Sequence, residues 1–254
     1  MSGAFGFRIP VATLSDAIAA LRTIVDESKL RFNDTGLQSR AVDPANVAMV
    51  DVTVPSGGFE RLDVDDETTL GINLETLADV LGMAESGDVL IAELNAETKK
   101  LELSFPNTGL EYTCALIDPD AIRQEPDIPD LDLGGEFVVP GRAIDRGLNA
   151  ADLVSDHIRL EGADDDALRM SADGDTDTVD LAIDDTLIDG ELAGDGETES
   201  MFSLEYLNDI TRPIGSDTAV TVDLGSEMPV KMHFETGGGD INVEAMVAPR
   251  IQGD

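Results

Sequence analysis

The sequence carries the same pattern twice, and this duplication constrains the fold more than any other feature. Three pairs of segments resemble one another: residues 7–10 and 137–140, 29–32 and 157–160, and 74–79 and 204–209. The offsets within these pairs are 130, 128 and 130 residues, so few insertions separate the copies. Matches near one common offset indicate a tandem duplication of one structural unit.

Each copy is predicted to combine two helices with about eight short strands. In the first copy, helical spacing of apolar residues predicts a helix over 11–25, and a second helix is predicted over 73–82 with Asn73 as its N-cap. Strands are predicted over 5–10, 29–32, 36–42, 47–54, 88–94, 99–105 and 109–116. Because each helix has one apolar face, both can pack on one side of a sheet, which predicts an α+β fold.

A connector separates the two copies. Residues 117–135 contain three prolines and a run of carboxylates and end in a glycine pair, a composition that sustains neither a helix nor a central strand. Its apolar residues predict that the connector packs on the protein surface: Ile122, Ile128, Leu131 and Leu133. The predicted organisation is a first domain over 1–117, a connector over 118–134 and a second domain over 135–254.

The chain is strongly acidic along its whole length. Its formal net charge is −37, from 53 acidic and 16 basic side chains, and only four of the basic residues are lysines. Because the acid is not gathered in a tail, two explanations remain: a strongly cationic partner, or a cytoplasm of molar salt. Scarce lysine and low aromatic content favour the second explanation. At about 1 M salt the Debye length is only about 3 Å, so repulsion among the acidic side chains is screened.

Other composition features restrict the class of protein. A single cysteine, Cys114, excludes an intramolecular disulfide and a thiolate metal cluster. We find no cleavable leader and no apolar run of membrane-spanning length in the sequence, so we expect a cytoplasmic protein with no membrane partner.

Three stretches resemble one known family. They are LQSRAVDPANVAMV at 37–50, LEYLNDITR at 204–212 and MVAPRI at 246–251, the last being similar to the family's Leu-Ala-Pro-Lys-Ile ending. With these stretches and the duplication, the chain resembles a sliding clamp of the proliferating cell nuclear antigen type, in a haloarchaeal version. The resemblance covers essentially the full length.

The resemblance implies a homotrimeric ring of two tandem clamp domains per chain, with helices lining a central hole and antiparallel sheets outside. Double-stranded DNA would be encircled without sequence specificity, in the nucleoid. The implied partners are DNA polymerase, flap endonuclease and DNA ligase, held through peptides of the form Gln-x-x-(aliphatic)-x-x-(aromatic)-(aromatic), and a clamp loader that opens the ring. The resemblance implies neither catalysis nor a cofactor.

The resemblance also implies a pocket for partner peptides, formed by Val42, Val47, Met49, Ile128, Leu131, Pro229, Met246, Val247, Ala248, Pro249 and Ile251. A peptide anchor needs a concave apolar surface with backbone acceptors nearby, which a connector and a terminal strand can supply. The alternative is that Val42, Val47 and Met49 are ordinary strand core.

Helical phase and the resemblance together place four arginines toward the DNA: Arg22, Arg142, Arg146 and Arg212. The family is often basic at four further positions, which here carry Ser15, Asp16, Asp79 and Gly82. In molar salt an electrostatic grip on phosphates is weak, whereas encirclement does not depend on ionic strength. The alternative is that each arginine is an ordinary surface ion-pair partner.

In the family an edge strand of the first domain pairs with an edge strand of the second domain in the neighbouring chain. Here those strands are 109–116 and 177–183, whose alternating patterns fit edge strands with one buried face. The implied interface residues are Leu110, Tyr112, Cys114, Thr178, Val179 and Leu181. Such heterologous contacts close into a ring.

Metal and catalytic sites are not expected. Residues 173–177 begin like a calcium loop, but Thr178 replaces the required glycine and Asp184 the final glutamate. Residues 164–166 and 237–239 are predicted hairpin turns, and neither histidine has an evident nucleophile partner. An acidic hydrolase therefore lacks a catalytic constellation. The remaining alternative is a clamp-like scaffold for repair factors that seldom encircles DNA, and trimer formation distinguishes the two.

Overall fold

The computed structural model describes residues 5–95, 97–126, 131, 133–162, 167–183, 189–192 and 198–250. By its internal contacts the chain divides into two compact units. The first unit comprises Met1–Val42, Val50–Pro126 and Thr236–Asn242, and the second comprises Asp43–Met49, Asp127–Glu235 and Val243–Asp254. Each half of the chain contributes one short segment to the other unit, so the unit boundaries do not follow the chain order.

The first half of the chain contains two helices, α1 (Val11–Leu21) and α2 (Leu74–Leu81). Its strands are β1 (Gly6–Pro10), β2 (Glu27–Asn33), β3 (Gly36–Val42), β4 (Ala48–Pro55), β5 (Arg61–Asp63), β6 (Thr68–Asn73), β7 (Val89–Asn95), β8 (Lys100–Phe105) and β9 (Leu110–Ala115). They form antiparallel sheets in the orders β5-β1-β7-β8-β9 and β6-β2-β3-β4.

The second half repeats this order of elements, with helices α3 (Gly141–Ala151) and α4 (Leu204–Thr211). Its strands are β10 (Gly135–Pro140), β11 (His157–Gly162), β12 (Leu168–Asp173), β13 (Thr178–Ile183), β14 (Asp189–Leu192), β15 (Thr198–Ser203), β16 (Ala219–Leu224), β17 (Val230–Thr236) and β18 (Ile241–Val247). They pair in the orders β14-β10-β16-β17-β18 and β13-β12-β11-β15. Antiparallel sheets with two helices per half agree with the predicted α+β class.

The predicted helix starts are accurate, but one predicted helix end is too late. The Asn73 side chain accepts a hydrogen bond from the Thr76 N–H at 2.7 Å, which confirms the predicted N-cap of α2. Helix α1 ends at Leu21 and not at residue 25. A run of β-branched residues follows there, and such side chains lose χ1 freedom in a helix.

Aromatic and aliphatic side chains fill the core of the first unit. Phe7 stacks on Phe32 with ring centroids 5.1 Å apart, and Phe5 meets Phe32 edge-on at 5.0 Å. Leu14 and Ile18 of α1 are each 1% exposed. The helix therefore packs its single apolar stripe on the core and leaves its other faces to solvent.

The first part of the predicted connector packs along β6 within the first unit. The Ile117 N–H donates to the Gly71 carbonyl at 2.8 Å, Ile122 is buried, and the Glu125 carboxylate accepts from the Arg31 guanidinium at 2.7 Å. Leu131 and Leu133 are half-buried, and Ile128 lies outside the described residues. Up to Glu125, therefore, the connector lies against the surface of the unit.

Gly71 provides a test of this packing. A Cβ at Gly71 would lie 2.3 Å from the Ile117 carbonyl oxygen and 3.0 Å from Ile122 Cδ1. Gly71→Ala is therefore expected to lower the free energy of unfolding by about 1–3 kcal/mol, as overpacking does. Gly57→Ala is the matched control, because nothing lies within 4 Å of the Cβ it adds. Denaturant unfolding at constant high salt measures both, and equal stabilities would contradict the described packing.

Candidate functional site

The loop between β3 and β4 is organised by one carboxylate. Asp43 Oδ1 accepts from the Val47 and Ala48 N–H groups at 2.6 and 2.7 Å, and Oδ2 accepts from the Ala45 N–H at 2.8 Å. The Asp43 N–H in turn donates to the Ala48 carbonyl at 3.0 Å, and Asn46 adopts a φ of 58°. We name residues 43–48 the Asp43 loop.

A side chain from helix α4 completes this arrangement. The Tyr206 hydroxyl donates to Asp43 Oδ2 at 3.0 Å. Burial alone acts to raise the pKa of Asp43, but its backbone donors and Tyr206 outweigh burial, so the pKa lies below its ordinary value. Burial and the hydrogen bond to Asp43 raise the pKa of Tyr206. Both shifts favour the states that keep this hydrogen bond, the ionised Asp43 carboxylate and the protonated Tyr206 hydroxyl.

The C-terminal segment lies against the Asp43 loop within the second unit. The Ala248 N–H donates to the Val47 carbonyl at 2.8 Å, and the Arg250 N–H donates to the Met201 carbonyl at 2.7 Å. The Arg250 guanidinium also contacts the His157 ring. Backbone bonds at both ends thus fix the path of residues 248–250.

The residues predicted for the peptide pocket differ in exposure. Val42, Met49 and Val247 are buried, as strand-core residues are. The half-buried ones, which keep apolar surface available, are Val47, Leu131, Pro229, Met246, Ala248 and Pro249. Ile128 and Ile251 lie outside the described residues. The backbone bond between Val47 and Ala248 brings two predicted pocket segments together.

Sequence reasoning missed the roles of Asp43 and Tyr206. Asp followed by Pro is a recognisable turn signal, because an Asp side chain accepts from backbone N–H groups a few residues ahead. The pairing with Tyr206 carries no such signal, since 163 residues separate the partners.

All four arginines predicted to face DNA are exposed, two within helix α3 and two directly after helices α1 and α4. Arg142 lies in the first turn of α3 and pairs with Asp217 at 2.6 Å, and Arg212 follows α4 and pairs with Asp209 at 2.7 Å. Arg22 follows α1 and Arg146 lies within α3; neither forms an ion pair with another described residue. Part of the positive charge on these helices is thus offset by neighbouring carboxylates.

Strands β9 and β13 are the outer strands of their sheets and each pairs with one neighbour, β8 and β12 respectively. Leu110, Tyr112 and Cys114 share one face of β9; Cys114 is buried, which raises the pKa of its thiol. Val179 and Leu181 share one face of β13, whereas Thr178 points to the opposite face and is exposed. Two other sheet edges are covered, since Ile117 bonds to β6 and Arg250 to β15, whereas the outer strands β5 and β14 are only three and four residues long.

Within the described ranges, no group of three or more His, Cys, Asp or Glu side chains could hold a metal ion. The turn after β12 is closed by the Gly174 N–H, which donates to the Asp177 carbonyl at 2.9 Å. Residues 164–166 lie outside the described part of the chain. Among the helices that the structure describes, none is long and apolar enough to cross a membrane.

His233 lies between two carboxylates on the surface of the β16–β17–β18 sheet. Its Nε2 lies 3.2 Å from Asp223 Oδ2 and its Nδ1 lies 3.6 Å from Glu244 Oε2. The hydrogen bond to Asp223, with the charge of Glu244, raises the pKa of His233 against the opposing effects of burial and Lys231. The protonated imidazole is therefore favoured in the folded chain.

This cluster predicts a pH dependence of stability. A raised folded-state pKa gives stability that is fully present below the ordinary value of about 6.5 and is lost as the pH rises through the folded-state pKa. We expect the free energy of unfolding to fall by less than about 1 kcal/mol over this pH range, because the His233 side chain is 42% exposed. Denaturant unfolding at several pH values should show that the stability of His233→Gln changes less with pH than that of the wild type.

The matched control for this measurement is His157→Gln, which removes the other histidine and leaves the Asp223–His233–Glu244 cluster intact. An identical pH profile for the wild type and His233→Gln would contradict the assignment.

Two similarly ordered α+β units, each with a pair of contacting helices and with outer strands left open, define the class of sliding clamps. A family model described as "Proliferating cell nuclear antigen, N-terminal domain" matches residues 9–118. The "DNA polymerase sliding clamp" of Natronomonas pharaonis is 51% identical over 245 residues, covering 95% of this chain and 96% of that protein. The protein of the same name from Halobacterium salinarum is 46% identical over 94% of this chain and 96% of its own length.

Similar solved structures point to the same family as the sequence relatives do. A structure titled "C-terminal region of FEN-1 bound to A. fulgidus PCNA" matches with a TM-score of 0.90 and 35% identity, over 98% of this chain and 100% of that chain. PCNA from Thermococcus kodakaraensis matches with a TM-score of 0.86 and 28% identity, over 97% and 100%. The chain belongs to the family of DNA polymerase sliding clamps of the proliferating cell nuclear antigen type. The resemblance drawn from the motifs and the predicted two-domain α+β clamp fold are confirmed.

Proposed function

We propose that the protein is a DNA polymerase sliding clamp: a processivity factor without catalytic activity that encircles duplex DNA and tethers replication and repair enzymes. The observation that carries the proposal is the 51% identity to a named sliding clamp across 95% of the chain, which includes both repeated halves. The proposed place of action is the nucleoid in the cytoplasm, and the proposed division of the chain is 1–117, 118–134 and 135–254.

The proposed ring is a homotrimer closed by pairing β9 of one chain with β13 of the next. In the described residues no backbone hydrogen bond from another segment covers the outer edge of either strand. An uncovered edge is a template for pairing with another chain. The proposed interface residues are Leu110, Tyr112, Cys114, Thr178, Val179 and Leu181.

The proposed DNA-facing residues are Arg22, Arg142, Arg146 and Arg212. Carboxylates next to Arg142 and Arg212 limit any electrostatic attraction to phosphate. At a net charge of −37, retention on DNA is better explained by enclosure than by charge, because phosphate contacts weaken steeply as salt rises.

The proposed partner site is the pocket predicted from the resemblance, next to the Asp43 loop and residues 246–250. The related clamp from A. fulgidus was solved with the C-terminal region of FEN-1 bound, which supports a flap endonuclease as one partner. A DNA polymerase, a DNA ligase and a clamp loader are the other proposed partners.

The ring is tested first by molar mass. We expect light scattering during size exclusion at about 3 M KCl to give 80.7 kDa, three times the chain mass of 26.9 kDa. At low salt the repulsion among acidic side chains is no longer screened, so we expect the trimer to dissociate. We expect Leu181→Asp to dissociate the trimer at high salt as well, because the substitution buries a charge in the interface.

The matched control is Ala182→Asp, which adds the same charge on the exposed face of β13. A monomer at both salt concentrations would contradict the ring and favour the alternative function, a clamp-like scaffold that seldom encircles DNA.

The pocket is tested by truncating a connector side chain. Leu131→Ala is expected to weaken binding of a Gln-x-x-Leu-x-x-Phe-Phe peptide by about 5- to 30-fold, because loss of a buried apolar contact costs about 1–2 kcal/mol. Fluorescence anisotropy at constant high salt measures the affinity, and the trimer mass should not change. Leu153→Ala is the matched control, since Leu153 is 83% exposed. Unchanged peptide affinity for Leu131→Ala would remove the connector from the pocket.

A further inference from the structure

The hydrogen bond between Tyr206 and Asp43 joins helix α4 to the Asp43 loop. Leu204, Leu207 and Ile210 of α4 are buried in the core, which fixes the position of the helix. Tyr206 is half-buried and extends its hydroxyl to Asp43 Oδ2 at 3.0 Å. Asp43 itself is 4% exposed, so the hydrogen bond is largely protected from competing water.

Tyr206 differs from the loop's own donors to this carboxylate. The N–H groups of Ala45, Val47 and Ala48 belong to the loop and move with it. The Tyr206 hydroxyl belongs to a helix anchored in the core. Backbone donors within the loop can shape it, but this hydroxyl also fixes where the shaped loop sits.

A backbone hydrogen bond links the Asp43 loop to the C-terminal segment. The Val47 carbonyl accepts from the Ala248 N–H at 2.8 Å, and Val47, Ala248 and Pro249 are half-buried residues of the proposed pocket. A shift of the Asp43 loop therefore moves one wall of the pocket or breaks its bond to the other. The contacts run from α4 through Asp43 and Val47 to Ala248 without a gap.

The corresponding helix of the first half carries a different residue at this position. An offset of 130 residues places Thr76 of α2 at the position that corresponds to Tyr206. The Thr76 N–H donates to the Asn73 side chain, which caps α2, and the short Thr76 side chain has no aromatic ring to extend a hydroxyl away from the helix. The Tyr206–Asp43 bond is therefore not a general requirement of the duplicated fold.

We propose that Tyr206 is a positioning residue for partner-peptide binding: its hydroxyl holds the Asp43 loop against the C-terminal segment and so presets the pocket wall. This inference rests on the proposed pocket, and it names a residue that acts through Asp43 without touching the peptide. Presetting the wall raises affinity because less ordering remains to be done on binding.

Tyr206→Phe tests the inference, since it removes the hydroxyl and keeps the ring. We expect the labelled Gln-x-x-Leu-x-x-Phe-Phe peptide to bind about 5- to 10-fold more weakly, a loss of the size that one ordinary hydrogen bond gives. Hydrogen exchange followed by mass spectrometry should show faster exchange in the Asp43 loop. Thr211→Val removes another hydroxyl of helix α4, one that donates to the Leu207 carbonyl at 2.8 Å, and should leave peptide affinity and loop exchange unchanged.

A second control separates positioning from general stability. Ile210→Val lowers the packing of α4 without touching Asp43, so it should lower the thermal midpoint and leave peptide affinity unchanged. Asp43→Ala combined with Tyr206→Phe should bind no more weakly than Asp43→Ala alone, because both changes break the same bond.

The outcomes distinguish the two proposals. Wild-type protein that does not bind the peptide contradicts the proposed pocket. Wild-type binding with equal affinity for Tyr206→Phe overturns the positioning role and leaves the pocket intact. Additive losses in the double variant also overturn it, since Tyr206 would then act by a route other than Asp43.

Discussion

The need of strand backbones for hydrogen-bond partners governs this structure at every level. Within each half, nine strands pair in the same order, and the two helices contact each other. Two edge strands are covered by backbone from elsewhere in the chain: Ile117 bonds to Gly71 at the edge of β6, and Arg250 bonds to Met201 at the edge of β15. Strands β9 and β13 have no such cover among the described residues. Because open edges are prone to pairing, a fold that leaves the edges of β9 and β13 uncovered is suited to closed assembly.

Charge imposes the second constraint. With 53 acidic and 16 basic side chains, the chain depends on solvent ions to limit self-repulsion. Arginine–carboxylate pairs such as Arg142–Asp217, at 2.6 Å, occur at exposed positions where each contributes little by itself. A clamp that holds DNA by enclosure tolerates this composition, because enclosure requires no net attraction to phosphate.

The two halves share an architecture but differ in local chemistry. The Asp43 loop gathers three backbone donors and a tyrosine hydroxyl around one carboxylate, whereas the corresponding turn after β12 is closed by a single bond from Gly174 to Asp177. Duplication thus supplied a repeated frame, and a few substituted residues made one loop of it distinct. A binding surface can arise in this way without any change of topology.

The sequence by itself determined the duplication, the α+β class, the cap at Asn73 and the family, because each is written in local periodicity or in short motifs. It missed two strands of the first half: β5, which is only three residues long and too short to show a period, and β6, whose pattern is interrupted by Gly71. Tertiary structure alone decided which distant groups meet: Arg31 with Glu125, and Asp43 with Tyr206, are 94 and 163 residues apart. Such pairs depend on sheet register and on the path of the loops, and neither is encoded in the spacing of residues along the chain.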